Sequence, residues 1–188
     1  IHLVAELSNK SPFINEAVSV TYKLYVSPDT GVDNWRELEA PRYANFWSNN
    51  IDIKSLNVQN GTYKGEPYRY VVLRRTLLYP QKTGKLKIEP LTLDISVQVP
   101  SNRRDFFGNL ISSSVNKTVS AGSSFIDVKP LPIDNKPNDF SGAVGDFNFE
   151  IKSDKKELLI DEAFQLSLII SGNGNFNLFE DPKISLPS

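Results

Sequence analysis

The side chains that could do chemistry are few in this chain and lie far apart in the sequence. There is one histidine, His2, and no cysteine. The chain can therefore form no thiolate nucleophile, no disulfide and no thiolate metal site. A catalytic triad or a zinc site would need partners for His2 that the sequence lacks, and we expect His2 to be an exposed terminal residue.

The carboxylates and one glycine pair also lack the spacing that their chemistry needs. A calcium site takes about six to eight oxygen ligands, but no D-x-D-x-D run occurs. The run Gly172-Asn173-Gly174 is not followed by the Lys and Ser or Thr of a phosphate loop, and we interpret it as a hairpin turn. We therefore predict that the chain is not an enzyme and has no catalytic, cofactor-binding or metal-binding residues.

The composition indicates a globular protein without a nucleic-acid partner. Of the 188 residues, 39% are hydrophobic and 23% are charged, which is typical of a folded chain. The net charge of −1 does not provide the concentrated positive field that nucleic-acid binding requires. No apolar run of about 18 residues is present in this sequence, so we place any membrane anchor outside it.

Alternation of apolar and polar residues predicts β-strands. From Ala17 to Val26 the even positions from Val18 onward are apolar, and from Leu91 to Val99 the odd positions are apolar. This pattern favours strands with one buried face. Other strands are predicted at Leu3–Leu7, Ile51–Val58, Tyr68–Tyr79, Val115–Val119 and Phe125–Val128, with turns at Asn60-Gly61, Lys82-Thr83-Gly84 and Ala121-Gly122-Ser123. Short strands separated by such turns indicate an all-β sandwich.

Two stretches interrupt the strand pattern. Ser101 to Ser114 combines charged residues, Phe106-Phe107-Gly108 and three consecutive serines, and we predict a long surface loop there. Pro130 to Gly145 contains three prolines and two glycines, which a central strand does not tolerate. We interpret that stretch as a connector between domains.

An internal repeat joins the two ends of the chain. Ile14-Asn15-Glu16-Ala17-Val18 matches Ile160-Asp161-Glu162-Ala163-Phe164 at an offset of 146 residues. A second block, Asn34 to Pro41, matches Asn175 to Pro182 at an offset of 141, which aligns Trp35 with Phe176. Loops tolerate the difference of five residues, because they lie outside the core.

The repeat predicts tandem immunoglobulin-like β-sandwich modules, of which the second is truncated. We expect a complete sandwich at 1–129, a Pro/Gly connector at 130–145 and the start of a second module at 146–188. About forty residues cannot bury enough apolar surface to fold alone. We therefore expect the natural protein to continue past Ser188.

Several of these segments resemble the BatD family. The connector residues Val128 to Pro132 and Asp139 to Phe147 are similar to that family's interdomain signature, as are Asp161 to Phe164 and Leu168 to Asn175. The Pro-then-Gly turn from Leu78 to Pro90 is similar to the end of the family's first domain. The resemblance covers most of the chain and is strongest between Val128 and Asn175.

The resemblance implies an exported bacterial protein, anchored in the inner membrane and linked to oxygen tolerance. Its modules would face the periplasm, and its partners would be other envelope proteins, including the von Willebrand A-domain Bat proteins. A Bacteroidetes source would suit the Asn- and Lys-rich composition. The family has no established catalytic site. We therefore expect a non-catalytic interaction or scaffold module.

Four aromatic side chains are the candidates for partner contact. Phe106 and Phe107 are adjacent in a polar stretch, where both cannot easily be buried. Tyr43 and Trp47 belong to an aromatic cluster with Trp35 and Phe46. If that cluster were exposed, a surface carbohydrate-binding or adhesive module would be the alternative function. If it packs in the core, the alternative loses its main support.

Overall fold

The computed structural model describes residues 1–108 and 110–182, and these ranges form twelve β-strands and no helix. The predicted all-β class is confirmed. Within these ranges no helix could therefore cross a membrane. The strands are β1 His2–Leu7, β2 Val18–Val26, β3 Gly31–Glu39, β4 Phe46–Ile51, β5 Gln59–Tyr63, β6 Glu66–Pro80, β7 Gly84–Ile88, β8 Thr92–Arg104, β9 Leu110–Ser120, β10 Ser124–Val128, β11 Gly145–Ser153 and β12 Leu166–Gly174.

Strands β1 to β10 form two layers of antiparallel sheet. The first layer has the order β1-β2-β6-β4, and β5 also pairs with β6. The strand β6 has 15 residues, so β5 pairs with its first part and β4 with its last part. The second layer contains the sheet β3-β8-β9 and the pair β7-β10. This arrangement is a β-sandwich.

The core lies between the layers and is built from alternate residues of each strand. On β2 the inward side chains Val18, Val20, Tyr22 and Leu24 are buried, as the sequence predicted, whereas Val26 is half-buried. Thr21 and Tyr25 on the other face of β2 are buried as well. The opposite layer contributes Leu93, Ile95 and Val97 from β8, with Leu86, Ile88, Ile126 and Val128 from β7 and β10. Tyr22 is fully buried, and its hydroxyl donates to the backbone oxygen of Glu89 at 3.2 Å. That hydrogen bond satisfies the one polar group that a buried tyrosine brings into the core.

Two predictions between residues 51 and 65 are wrong. Only Ile51 of the predicted strand Ile51–Val58 lies in a strand, because β4 begins earlier and ends there. Asn60-Gly61 is not a turn but lies within β5, and the chain turns at Lys64-Gly65 instead. Gly61 is needed because a Cβ atom there would lie 2.9 Å from the Tyr70 ring on the paired strand.

The predicted long loop from Ser101 to Ser114 is also wrong in extent. Strand β8 continues to Arg104 and β9 begins at Leu110, so only a short hairpin tip separates them. The serines and polar residues of this stretch misled the prediction, because a hairpin that extends beyond the core can be polar on both faces. By contrast, no strand is found from Pro130 to Val144, as expected of a connector.

The first sequence block of the repeat has the same local structure in both copies. Asn15 and Asp161 both adopt positive φ, at 63° and 67°. One residue later, the carboxylates of Glu16 and Glu162 accept hydrogen bonds from the backbone NH groups of Phe13 and Leu159. Asn and Asp tolerate this left-handed conformation better than other non-glycine residues. The shared turn therefore explains which residue types the two copies have in common.

The strand pairing repeats at the same offset of 146 residues. Ala5 pairs with Tyr22 in the first hairpin, and Ile151 pairs with Leu168 in the second. The backbone NH groups of Ser19 and Gln165 donate to the side chains of Ser8 and Asp154, at 2.9 and 2.8 Å. The hairpins β1–β2 and β11–β12 are therefore two copies of one structural unit. The division into two domains stays a prediction, although every residue of the main core cluster lies between Leu3 and Val128.

The second sequence block does not share a structure. Trp35 lies in the middle of β3 and packs against the core. Phe176, its predicted counterpart, lies in a turn after β12 and is 41% exposed. The two aligned aromatic residues therefore do not occupy equivalent positions among the described residues. Residues 183–188, the last part of the predicted truncated second module, lie outside the described ranges.

We expect a leucine-to-alanine substitution to cost more stability in the first hairpin than in the second, at two positions that differ in burial. Leu24 is 2% exposed in the first hairpin, whereas Leu166 is 41% exposed in the second. Leu24→Ala should lower the free energy of unfolding of the sandwich by about 2–5 kcal/mol, because it leaves a cavity in a packed core. Leu166→Ala should lower it by less than about 1 kcal/mol. Urea denaturation followed by tryptophan fluorescence measures both, and equal losses would contradict the assignment of the core.

Candidate functional site

The most exposed aromatic side chains lie at the tip of the β8–β9 hairpin. Phe106 is 98% exposed and Phe107 is 85% exposed. Their ring centroids are 5.7 Å apart in an edge-to-face arrangement. The Phe107 backbone NH donates to Asp105 Oδ1 at 2.8 Å, and the Gly108 NH donates to the Asp105 backbone oxygen at 3.0 Å. A hydrogen-bonded turn therefore presents two apolar rings to solvent.

Trp47 and Tyr43 do not join this tip. Trp47 lies on β4 in the first layer, opposite Tyr79 of β6, and the two rings pack edge to face at 5.3 Å. The Tyr43 hydroxyl donates to Thr76 Oγ1 at 3.4 Å, and its ring packs against the core. Both side chains are half-buried. The four predicted contact residues therefore belong to different surfaces, and only Phe106 and Phe107 are fully accessible.

The second hairpin exposes part of the face that its first copy buries. Phe149, Phe164 and Leu166 are exposed, although their counterparts Leu3, Val18 and Val20 are buried. The counterparts of Tyr22 and Leu24 are half-buried. Among the described residues, β12 pairs only with β11, whereas its counterpart β2 also pairs with β6. A row of backbone hydrogen-bonding groups is therefore available on β12 for another strand.

The glycines of β12 belong to this hairpin and not to a turn. The sequence had suggested that Gly172-Asn173-Gly174 closes a hairpin, but the run is paired in register with Gly145 to Phe147. Gly172 has φ of 143°, and a Cβ atom there would collide with the backbone oxygen of Asp146. The close approach of the two strands therefore excludes any larger residue at this position.

A tyrosine cluster that the sequence did not reveal covers one end of the first layer. Tyr63 stacks on His2 with ring centroids 4.3 Å apart, and Tyr25, Tyr68 and Tyr70 pack around them. Four strands supply these residues, so no local motif marks them. The alternation of Tyr68 and Tyr70 on β6 was the only signal that two rings share a face.

His2 is part of this cluster and is not a free terminal residue, as we had expected. It lies on β1, half-buried, with its Nε2 atom 3.3 Å from the Tyr68 hydroxyl. Burial lowers the pKa of His2 below its usual 6.5, and the positive charges of the chain's amino terminus, Lys64 and Lys117 lower it further. The imidazole is therefore held in its neutral form at neutral pH.

Metal-binding groups are not assembled in the part of the chain that the structure describes. No three His, Asp or Glu side chains of residues 1–108 and 110–182 gather where they could hold one metal ion. The closest ion pairs, such as Lys155 with Glu162 at 2.7 Å, are surface contacts. Such pairs contribute little to stability.

The pKa of His2 can be tested directly, because it is the only histidine. The imidazole proton resonance of the folded chain should titrate with a midpoint below 6.5, and the urea-unfolded chain should titrate near 6.5. Below pH 6.5 the unfolded chain then binds more protons than the folded chain, so the free energy of unfolding should fall as the pH drops through 6.5. Above pH 6.5 the contribution of His2 to that free energy should be fully present. Tyr63→Ala, which removes the stacked ring, should raise the folded midpoint. A midpoint at or above 6.5 in the folded chain would contradict this account.

Comparisons with known proteins found no relative of this chain. No protein-family model, no curated protein and no solved structure matches the chain. The resemblance to the BatD family therefore stays a prediction.

Proposed function

We propose that this chain is a non-catalytic interaction and scaffold module of an exported, membrane-anchored envelope protein of the Bat type. Its immunoglobulin-like modules would face the periplasm, and its role would be linked to oxygen tolerance. The observation that carries the interaction function is the pair of exposed phenylalanines at the β8–β9 tip. The family and the location are supported by the sequence resemblance.

The geometry of the tip favours a contact surface over a chance exposure. Exposed apolar side chains gain about 25 cal/mol for each Å² that a partner covers. Both rings stand at the end of a hairpin whose turn is held by hydrogen bonds from Phe107 and Gly108 to Asp105. A turn that is ordered before binding loses little conformational entropy when a partner is bound.

The partner that the resemblance favours is a von Willebrand A-domain protein of the same envelope system. The tip would fill an apolar pocket on that partner, as a central anchor of an interface does. Strand addition at the free edge of β12 is a second mode of contact that the same fold offers. Neither mode requires a nucleic acid, a cofactor or direct contact with the membrane.

The alternative, a carbohydrate-binding or adhesive module, has less support. It depended on an exposed platform of Trp35, Tyr43 and Trp47, but all three are half-buried. Trp35 and Tyr43 pack against the core, and Trp47 packs on Tyr79. The rings therefore do not share one open face on which a sugar could stack.

The interaction function is tested by titrating the chain with a purified von Willebrand A-domain Bat protein. Replacing both rings, with Phe106→Ser and Phe107→Ser, should raise the Kd by at least about tenfold, because hot-spot aromatics contribute about 2 kcal/mol or more. Phe125→Ser is the matched control, since Phe125 is 48% exposed on β10 away from the tip. Calorimetry measures all three. Unchanged binding by the tip variant, or no binding by the unmodified chain, would contradict the proposal.

A further inference from the structure

A cleft opens between the two layers of the sandwich, at the end where β2 leads into β3. Its volume is about 470 Å³, which is within the range of small-molecule sites. Strands β2 and β6 supply one wall with Leu24, Val26 and Val71. Strand β3 supplies the other with Val32 and Trp35. Leu56 also lines the cleft and is 48% exposed, so it lies at the mouth.

Arg69 brings one positive charge into this apolar cleft. It pairs with Val26 across the β2–β6 ladder and lies two residues from Val71, so it shares the inward face of β6. Its Nη2 atom donates to three backbone oxygens of the β2–β3 turn, those of Ser27, Pro28 and Thr30, at 3.5, 3.1 and 3.1 Å. The guanidinium therefore closes the turn at the end of the cleft.

The guanidinium is nevertheless incompletely satisfied. Its Nε atom is buried and has no hydrogen-bond partner. None of the ion pairs formed by the described residues includes Arg69. A buried donor without an acceptor is unfavourable and rare in folded proteins. A negative charge in the cleft would supply the countercharge that Arg69 lacks.

We propose that this cleft binds a single-chain fatty carboxylate, with its hydrocarbon chain between the layers and its carboxylate at Arg69. The apolar walls would bury the chain, and the carboxylate would supply the countercharge that Arg69 lacks. A carboxylate matches one unpaired guanidinium, whereas a phosphate group would bring up to two charges and three acceptor oxygens. This inference does not depend on the function proposed for the hairpin tip.

The lining favours a fatty chain over the C-terminal end of a peptide. Apart from Thr30, Gly31 and Arg69, the residues that line the cleft have aliphatic or aromatic side chains. Such walls offer few hydrogen-bonding groups, and a peptide would bring amide groups that then lose their water without compensation. A hydrocarbon chain has no such groups.

Binding is measured by the fluorescence of Trp35, because this side chain lines the cleft. Trp47→Phe leaves Trp35 as the only tryptophan, and fatty compounds are titrated below the concentrations at which they form micelles. Decanoate should give a saturable change and bind roughly tenfold more tightly than octanoate, since it buries two more methylene groups. It should also bind roughly tenfold more tightly than decanol, because a hydrogen bond between charged groups is stronger than one to a neutral hydroxyl.

Substitutions at the mouth of the cleft and at Arg69 test whether the ligand binds in the cleft. Leu56→Asp should weaken decanoate binding by roughly fivefold through repulsion near the head group, and decanol by less. Leu38→Asp is the matched control, because Leu38 is 46% exposed and does not line the cleft. It should change neither affinity. Arg69→Gln should reduce the preference for decanoate over decanol to about one, provided that circular dichroism shows an intact sandwich.

The outcomes of these titrations distinguish a site for a fatty carboxylate from a site for a neutral lipid or a peptide. Decanoate should bind more tightly than decanol. Leu56→Asp should weaken decanoate binding, and Leu38→Asp should leave it unchanged. Equal binding of decanoate and decanol would overturn the role of Arg69. No saturable change with decanoate, or tighter binding of an acetylated leucine-rich peptide with a free C-terminus, would overturn the proposal of a fatty ligand.

Discussion

An apolar face of a β-sheet has to be covered by a second layer, and the rest of this structure depends on that constraint. In the first hairpin the constraint is met, because the side chains of β2 interlock with those of β7, β8 and β10. In the second hairpin the counterparts of Leu3, Val18 and Val20 are Phe149, Phe164 and Leu166, and these three are exposed among the described residues. One structural unit therefore occurs in the described part of the chain with a covered and with a largely uncovered apolar face.

Much of the fold could be predicted from the sequence, because its strands are half-buried and alternate strictly. The strands β2 and β8 were predicted together with their core-facing residues, since apolar residues alternate along each. The burial of Thr21 and Tyr25 on the other face of β2 was not predicted. The strand β3 was missed because most of its residues are exposed, and its pattern Asn-Trp-Arg-Glu does not alternate. The hairpin tip was misjudged as a long loop, since a hairpin that projects from the core has no buried face to reveal it.

The candidate sites were less predictable, because they depend on contacts between distant residues. Phe106 and Phe107 could be recognised, since two adjacent aromatics in a polar stretch cannot both be buried. The tyrosine cluster and the cleft could not. The cluster takes residues from four strands, and the cleft takes residues from three strands and two loop segments that are far apart in the sequence. Arg69 is an example of a site residue whose environment the sequence alone does not reveal. The sequence shows an arginine within an apolar strand, but only the fold shows that its charge faces the interior.

The turn before β2, with its counterpart before β12, also has a consequence for how the repeated units diverge. Its geometry constrains only a residue that tolerates positive φ and a glutamate that accepts the NH group three positions earlier. The strand residues of the unit differ between the two copies, and at Gly172 the close approach of β11 also excludes a larger residue. The residues that the copies share at the turn include those whose backbone conformation and hydrogen bond the turn requires. Sequence comparison of such units is therefore better anchored on this turn than on the strands.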